Sequence, residues 1–179
     1  PDQPRERLLV GSKYGITALD PFRGISTEFE FPPGVELFTM KRNSVGNIDF
    51  LMLGSNIGLH TIILENGLPV MDTLTTHDIG EAAVLFQLES DSFDPGILIM
   101  GGNGVWRTTF SESEQSLSTS EIIFVESLSS MLRKSNATAT SAGHAKIFGR
   151  TPILLIGTDY GLIAWNSTDG SDNNGMPWW

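Results

Sequence analysis

The sequence predicts an all-β chain made of about four copies of one four-stranded antiparallel unit. Three observations predict it. An apolar run, Gly-Ser/Thr, two turn residues, a second glycine and further apolar residues recur at Leu8–Ile16, Leu51–Leu59 and Leu154–Leu162. A degenerate copy at Ile97–Trp106, with Gly101 and Gly104, reads as one residue shorter in its turn. The first glycines, Gly11, Gly54, Gly101 and Gly157, are spaced by about 43, 47 and 56 residues, the first two near the period of stacked four-stranded units. Finally, 19 glycines and 9 prolines cut the apolar stretches short, which favours turns over long helices.

Each element has a local reason. Short Leu, Ile and Val runs suit buried strands. A Gly/Ser/Thr/Asn/Asp cluster between two such runs makes a β-hairpin. The second glycines, Gly15, Gly58, Gly104 and Gly161, are expected at positive φ or under close backbone approach. With the strands of a unit lettered A to D, the hairpin is B–C. Val35–Met40 is predicted as strand A of the second unit and Leu68–Leu74 as its D; Ala82–Leu88 and Ala145–Phe148 are predicted as A of the third and fourth. Ile25–Phe31 alternates as a half-exposed outer strand does. The first unit lacks A, and the fourth lacks D because a polar tail follows Trp165.

This period and strand count predict a β-propeller, or a partial propeller arc of about four blades, as a single domain or fragment over residues 1–179. Because the incomplete end blades do not complement one another, the remaining blades are expected elsewhere in a longer chain or on another chain. A self-closed four-bladed ring is the rival. The longest spacing holds a polar insertion between blade strands, residues 111–143. Within it Leu128, Met131 and Leu132 predict a short amphipathic helix ending at Arg133-Lys134, and Ser135–Ser141 is low in complexity and expected to be mobile. Insertions on rigid scaffolds often carry function. Phe124 and Met131 are therefore candidate partner contacts, as are Trp178 and Trp179, which read as the cut end of a strand.

Composition removes several function classes. Eleven basic and 21 acidic residues leave a net charge of -10, which argues against direct nucleic-acid binding and against an anionic membrane surface. No cysteine is present, which excludes disulfides, thiol catalysis and cysteine-ligated metals. No stretch approaches the roughly 20 apolar residues of a membrane helix, and no signal peptide is legible, so a soluble domain of open compartment is expected.

Ile156-Gly157-Thr158-Asp159-Tyr160-Gly161-Leu162-Ile163-Ala164-Trp165 resembles the blade motif of bacterial sensor propellers, of citron-homology propellers and of propellers in large scaffold proteins. Met100–Thr109 is similar to blades of the Asp-box class, although Ser167-Thr168-Asp169-Gly170-Ser171 departs from that box where Ser171 replaces its glycine. The resemblance spans Leu8 to Trp165 and implies a propeller fold.

The chemistry-bearing residues form no constellation. His60, His77 and His144 lack metal-ligand spacing, and His60 occupies a strand position expected to be structural. The carboxylates are scattered, and the arginines fall at no repeated blade position. Gly101–Gly104 precedes a strand rather than the helix a phosphate loop needs. Asp169–Gly175 departs from a calcium loop, its glycine coming one residue late. No catalytic, cofactor-binding or metal residue is assigned, and no cofactor is expected. The sequence points first to a non-catalytic protein–protein interaction scaffold within a larger regulatory or multi-subunit complex. Its partners would be other subunits or the remaining blades. A glycan-processing or glycan-binding propeller and an extracytoplasmic ligand-sensing propeller are the alternatives.

Overall fold

The structure, a computed structural model, describes residues 7–88, 96–102, 104–113, 116–145, 153–165 and 176–178. Four antiparallel sheets follow one another along the chain. The first is β1 (Leu8–Ser12), β2 (Gly15–Asp20) and β3 (Ile25–Glu30), in that order. The second is β4 (Leu37–Val45), β5 (Ile48–Ser55) and β6 (Gly58–Glu65), with β7 (Leu68–Pro69) and β8 (Thr75–Asp78) both pairing with β6. The third begins with β9 (Val84–Leu88), β10 (Gly96–Gly101) and β11 (Gly104–Thr108). A two-stranded ribbon then intervenes, β12 (Phe110–Ser113) with β13 (Ser116–Thr119), before β14 (Ile123–Phe124) completes the sheet against β11. The helix α1 (Glu126–Lys134) leads to the fourth sheet, β15 (Ala139–Ala145), β16 (Ile153–Thr158), β17 (Gly161–Trp165) and β18 (Met176–Trp178).

The repeated hairpins form as their residues require. Ser12 opposes Gly15, Gly101 opposes Gly104 and Thr158 opposes Gly161, with two residues between in each case. The third turn is therefore no shorter than the others: Gly101 stands in the Ser/Thr place and Met100 in the first-glycine place. The closing pair, not the spacing of glycines, sets register. Gly58, Gly104 and Gly161 adopt φ of 154°, 145° and 149°, which L side chains resist. Gly15 meets the other expectation, since a Cβ there would collide with the Phe29 carbonyl oxygen of β3.

The chain divides into two compact units, Pro1–Ala82 with Phe110–Ser118, and Ala83–Thr109 with Thr119–Trp179. Each holds two of the four sheets and its own core. In the first unit Ile16 packs with Leu51, Leu53, Ile62 and Leu64, alongside Phe31 and Val35. On the opposite face of β5, Phe50 and Met52 are fully buried, and Phe50 meets the Phe110 ring at 5.0 Å. Burial on both faces explains why β5 reads as a continuous apolar run rather than an alternation. In the second unit Leu98, Met100 and Val105 pack with Leu154, Ile156 and Ile163, and α1 adds Leu128 and Leu132.

Four expectations are corrected. The fourth sheet has a D strand, β18, with Trp178 opposite Leu162 and Pro177 opposite Ile163. It carries a proline because an edge strand needs hydrogen bonds on one side alone. Second, Ala139–Ala145, overlapping the stretch expected to be mobile, is strand A of that sheet. Its Ala, Ser and Gly residues lie close to β16; a Cβ on Gly157 would collide with the Ser141 hydroxyl. Of the expected strand Ala145–Phe148, residues 146–148 lie outside the described residues. Third, Leu68–Leu74 pairs only over Leu68–Pro69 before turning into a short 3-10 turn at Met71–Thr73, and β8 takes the D position. There the Thr73 hydroxyl accepts the Ile63 N–H at 2.9 Å, so a side chain supplies the bond a strand would have made. Fourth, the third sheet draws its D strand, β14, from residues 111–143. That segment also holds α1, formed where the apolar spacing predicts it.

Candidate interaction surfaces

The outer strand of the third sheet presents an aromatic patch beside an ion-paired arginine. Phe124 stands opposite Trp106 in the β14–β11 ladder, and their rings meet edge to face at 5.7 Å and 66°. The Arg133 guanidinium of α1 lies 5.7 Å from the Phe124 ring centre, within cation–π range, and is held by Glu126 at 2.6 Å. Phe124 remains 38% exposed and the adjoining Ile123 60% exposed.

The support beneath this patch is buried and specific. Ser129 of α1 is fully buried; its hydroxyl accepts the Val105 N–H at 2.9 Å and faces the Val105 carbonyl at 3.3 Å. The Val125 N–H also bonds the Val105 carbonyl, at 2.8 Å. A Cβ on Gly104 would strike both the Phe124 ring and the Ser129 hydroxyl. The glycine of the third hairpin thus admits β14 and α1 to the turn. Met131, the other contact predicted in this segment, is half-buried against the core of its unit. Trp178 lies in β18, and Trp179 lies outside the described residues.

Two exposed features escape the sequence reading. Phe22 is 86% exposed on the β2–β3 turn. The Asp20 carboxylate holds that turn by accepting the Phe22 and Arg23 N–H groups, each at 3.1 Å. The signal was Asp20-Pro21-Phe22-Arg23-Gly24, a turn signature carrying an aromatic at its apex. Tyr14, Ile57 and Tyr160 are also exposed, all at the turn position just before the second glycine of their hairpins.

The second hairpin contains a buried serine–histidine pair. The Ser55 Oγ and His60 Nε2 lie 2.7 Å apart, and His60 Nδ1 lies 2.9 Å from the Thr76 hydroxyl. Phe31 meets the imidazole edge to face at 5.8 Å. The Ser55 hydroxyl donates to the Gly58 carbonyl at 3.2 Å, as Ser12 and Thr158 donate to the Gly15 and Gly161 carbonyls of their own turns. With that proton committed, the assignment satisfying every group has Nε2–H donating to Ser55 and the Thr76 hydroxyl donating to Nδ1. Ser55 is 0% and His60 1% exposed, so no substrate reaches the pair. Burial, and then the nearby His77, hold His60 below the usual histidine range; burial does the same to His77. His77 Nε2 is buried without a hydrogen-bond partner among the described residues.

Two exposed ion pairs lie elsewhere on the first two sheets and the segment joining them. Asp49 pairs with Arg42 at 2.6 Å, and Glu36 pairs with Lys13 at 2.8 Å, which raises the Lys13 pKa through hydrogen bonding and charge attraction. Among the described residues no group of three His, Asp or Glu side chains is placed to hold a metal ion. Asp169–Gly175 lies outside the described residues. No described helix is long and apolar enough to cross a membrane.

Comparison with known proteins bears on the fold. No protein-family model and no curated protein matches the chain. A solved structure described as BBS1N in complex with ARL6DN, soaked with mercury, matches with a TM-score of 0.52 and 20% sequence identity. The match covers 97% of this chain and 48% of that one, so this chain spans about half the length of its structural neighbour. The neighbour is a β-propeller domain, and the present chain shares that fold: all-β, in antiparallel sheets, several of them four-stranded.

Proposed function

We propose that this chain is a protein–protein interaction module of β-propeller architecture, acting as a rigid platform within a larger assembly. The observation that carries this reading is the Ile123–Phe124–Trp106–Arg133 patch. Aromatic and arginine side chains dominate binding energy where they are pre-oriented and partly desolvated. Here the Phe124 ring contacts both Trp106 and Arg133, and the buried Ser129 bonds the helix to β11, so less side-chain entropy remains to be lost on docking. The structural neighbour, by its description, was solved in complex with another protein, which accords with a propeller used for docking. The net charge of -10 favours a partner with a basic surface.

The test is affinity purification from native extract at low salt, comparing the natural protein with an Ile123→Ser/Phe124→Ser variant. A stoichiometric partner retained by the natural protein and lost by the variant is the expected result. An identical partner set for both, or a solitary natural protein, overturns the reading.

A further inference from the structure

Strand β8 lies between two firm anchors. Before it, the Thr73 hydroxyl accepts the Ile63 N–H at 2.9 Å and donates to the Val70 carbonyl at 2.7 Å. After it, Ala82 is fully buried and its N–H bonds the Ser55 carbonyl at 2.8 Å. Between the anchors the chain pairs with β6 at four places: Asp78 with Gly58, His77 with Leu59, Thr76 with His60 and Thr75 with Thr61. Thr75, Thr76 and Asp78 are exposed, and Gly80 sits at a φ of 78°. The approach is close, since a Cβ on Gly58 would collide with the His77 carbonyl oxygen.

Both histidines of this sheet depend on β8. Thr76 closes the Nδ1 side of the buried His60, and His77 is part of the strand. A proton added at His60 Nδ1 turns the Thr76 hydroxyl from donor to acceptor and sets a charge among Ser55, Thr76 and the Phe31 ring. A proton added at His77 Nε2 strands a buried donor. No carboxylate offsets either charge. Glu30 before Phe31, Glu65 on β6, Asp72 in the 3-10 turn, Asp78 on β8 and Glu81 beyond it ion-pair with neither ring among the described residues, and Asp49 of β5 is committed to Arg42. The charge that acts on His60 is His77, which repels it when both are protonated.

We propose that β8 is an acid-released latch: protonation of His60 and His77 detaches the segment between Thr73 and Ala82 and bares the β6 edge over Gly58–Thr61. Release gives His77 and the Nδ1 side of His60 to water. It sacrifices four ladder pairs, while the Ser55–His60 bond and the β5–β6 ladder stay in place. Opening one edge strand costs less than unfolding the sheet, so it is the response that acid reaches first. A histidine of ordinary pKa, about 6.5, in the open state and neutral in the closed one raises the open population about tenfold between pH 7.5 and 5.5. The bared edge presents unpaired backbone groups. The latch is independent of the Phe124 patch, which belongs to the other compact unit.

The test is hydrogen exchange of the whole chain at pH 7.5 and 5.5, corrected for the intrinsic exchange rate at each pH. Protection over Thr75–Asp78 should fall about tenfold or more at the lower pH, while protection across β5 holds. His77→Gln, at a half-buried position, should remove about tenfold of that loss and leave protection at pH 7.5 in place. Because replacing His60 also disturbs the core, its part is read on the natural protein. Nuclear magnetic resonance should show the His60 ring taking up its proton over the same pH range in which Thr75–Asp78 lose protection. Protection over Thr75–Asp78 that does not change with pH overturns the proposal. So does simultaneous loss across β5 and β8, which is global unfolding, or an acid response that His77→Gln leaves intact with the His60 ring still neutral.

Discussion

At the residue scale, the Ser/Thr hydroxyl of the repeat is the recurring device. Ser12, Ser55 and Thr158 each donate to the carbonyl of the second glycine and accept N–H groups from their own turn. What differs is burial. Ser12→Ala exposes the freed groups to water and should cost about 0.5–1.5 kcal/mol, whereas Ser55→Ala strands the buried His60 N–H and should cost about 1–3 kcal/mol. Urea denaturation of the two variants measures the difference. The histidines add a pH dependence. Burial lowers the pKa of His60 and of His77 in the folded state, so the unfolded chain takes up protons that the folded chain refuses. Stability is therefore full above the ordinary histidine value of about 6.5 and declines as pH falls below it. The unfolding temperature should drop between pH 7.5 and 5.5, and His60→Gln should flatten that slope while lowering stability at pH 7.5. A slope unchanged by the substitution would remove His60 as its source.

At the element scale, α1 separates support from contact. Leu128 and Leu132 sit in the core of the second unit, while Arg133 stacks on the exposed Phe124 ring. Leu128→Ala should cost about 2–5 kcal/mol through the cavity it leaves. Phe124→Ser should cost far less, yet it is the change expected to release the partner. Thermal melts alongside affinity purification read both quantities on the same variants. Gly104→Ala should fail in a third way: positive φ resists the new side chain, and its Cβ meets the Phe124 ring and Ser129. A loss of about 1–3 kcal/mol is expected from the backbone alone, with displacement of β14 in addition. The helix was legible because Leu128, Met131 and Leu132 keep helical spacing within a polar stretch. The pairing of β14 with β11 was not, because two residues of strand carry no periodicity.

For the whole molecule, the two cores share no residue. Leu53→Ala acts in one and Leu154→Ala in the other, so their destabilisations should add to within about 0.5 kcal/mol in chemical denaturation. Non-additivity well beyond that would show that the two cores respond as one. The charge of -10 predicts a binding step that weakens with salt through slower association.

The all-β architecture, the four hairpins and the short helix were determined by sequence, because glycine-bounded apolar runs and helical spacing act over a few residues. The exposed aromatic at Phe22 was equally local, though it needed attention to the turn that holds it. Tertiary structure alone decided which distant segment completes each sheet: Met176–Trp178 beside β17, Ala139–Ala145 beside β16, and Ile123–Phe124 beside β11. It also decided that His60 finds Thr76, 16 residues away. The physical reason is common to these cases. Edge pairing is satisfied by backbone groups that every residue but proline carries in full, so a polar, small-residue or proline-containing stretch serves as a strand once a complementary edge lies beside it.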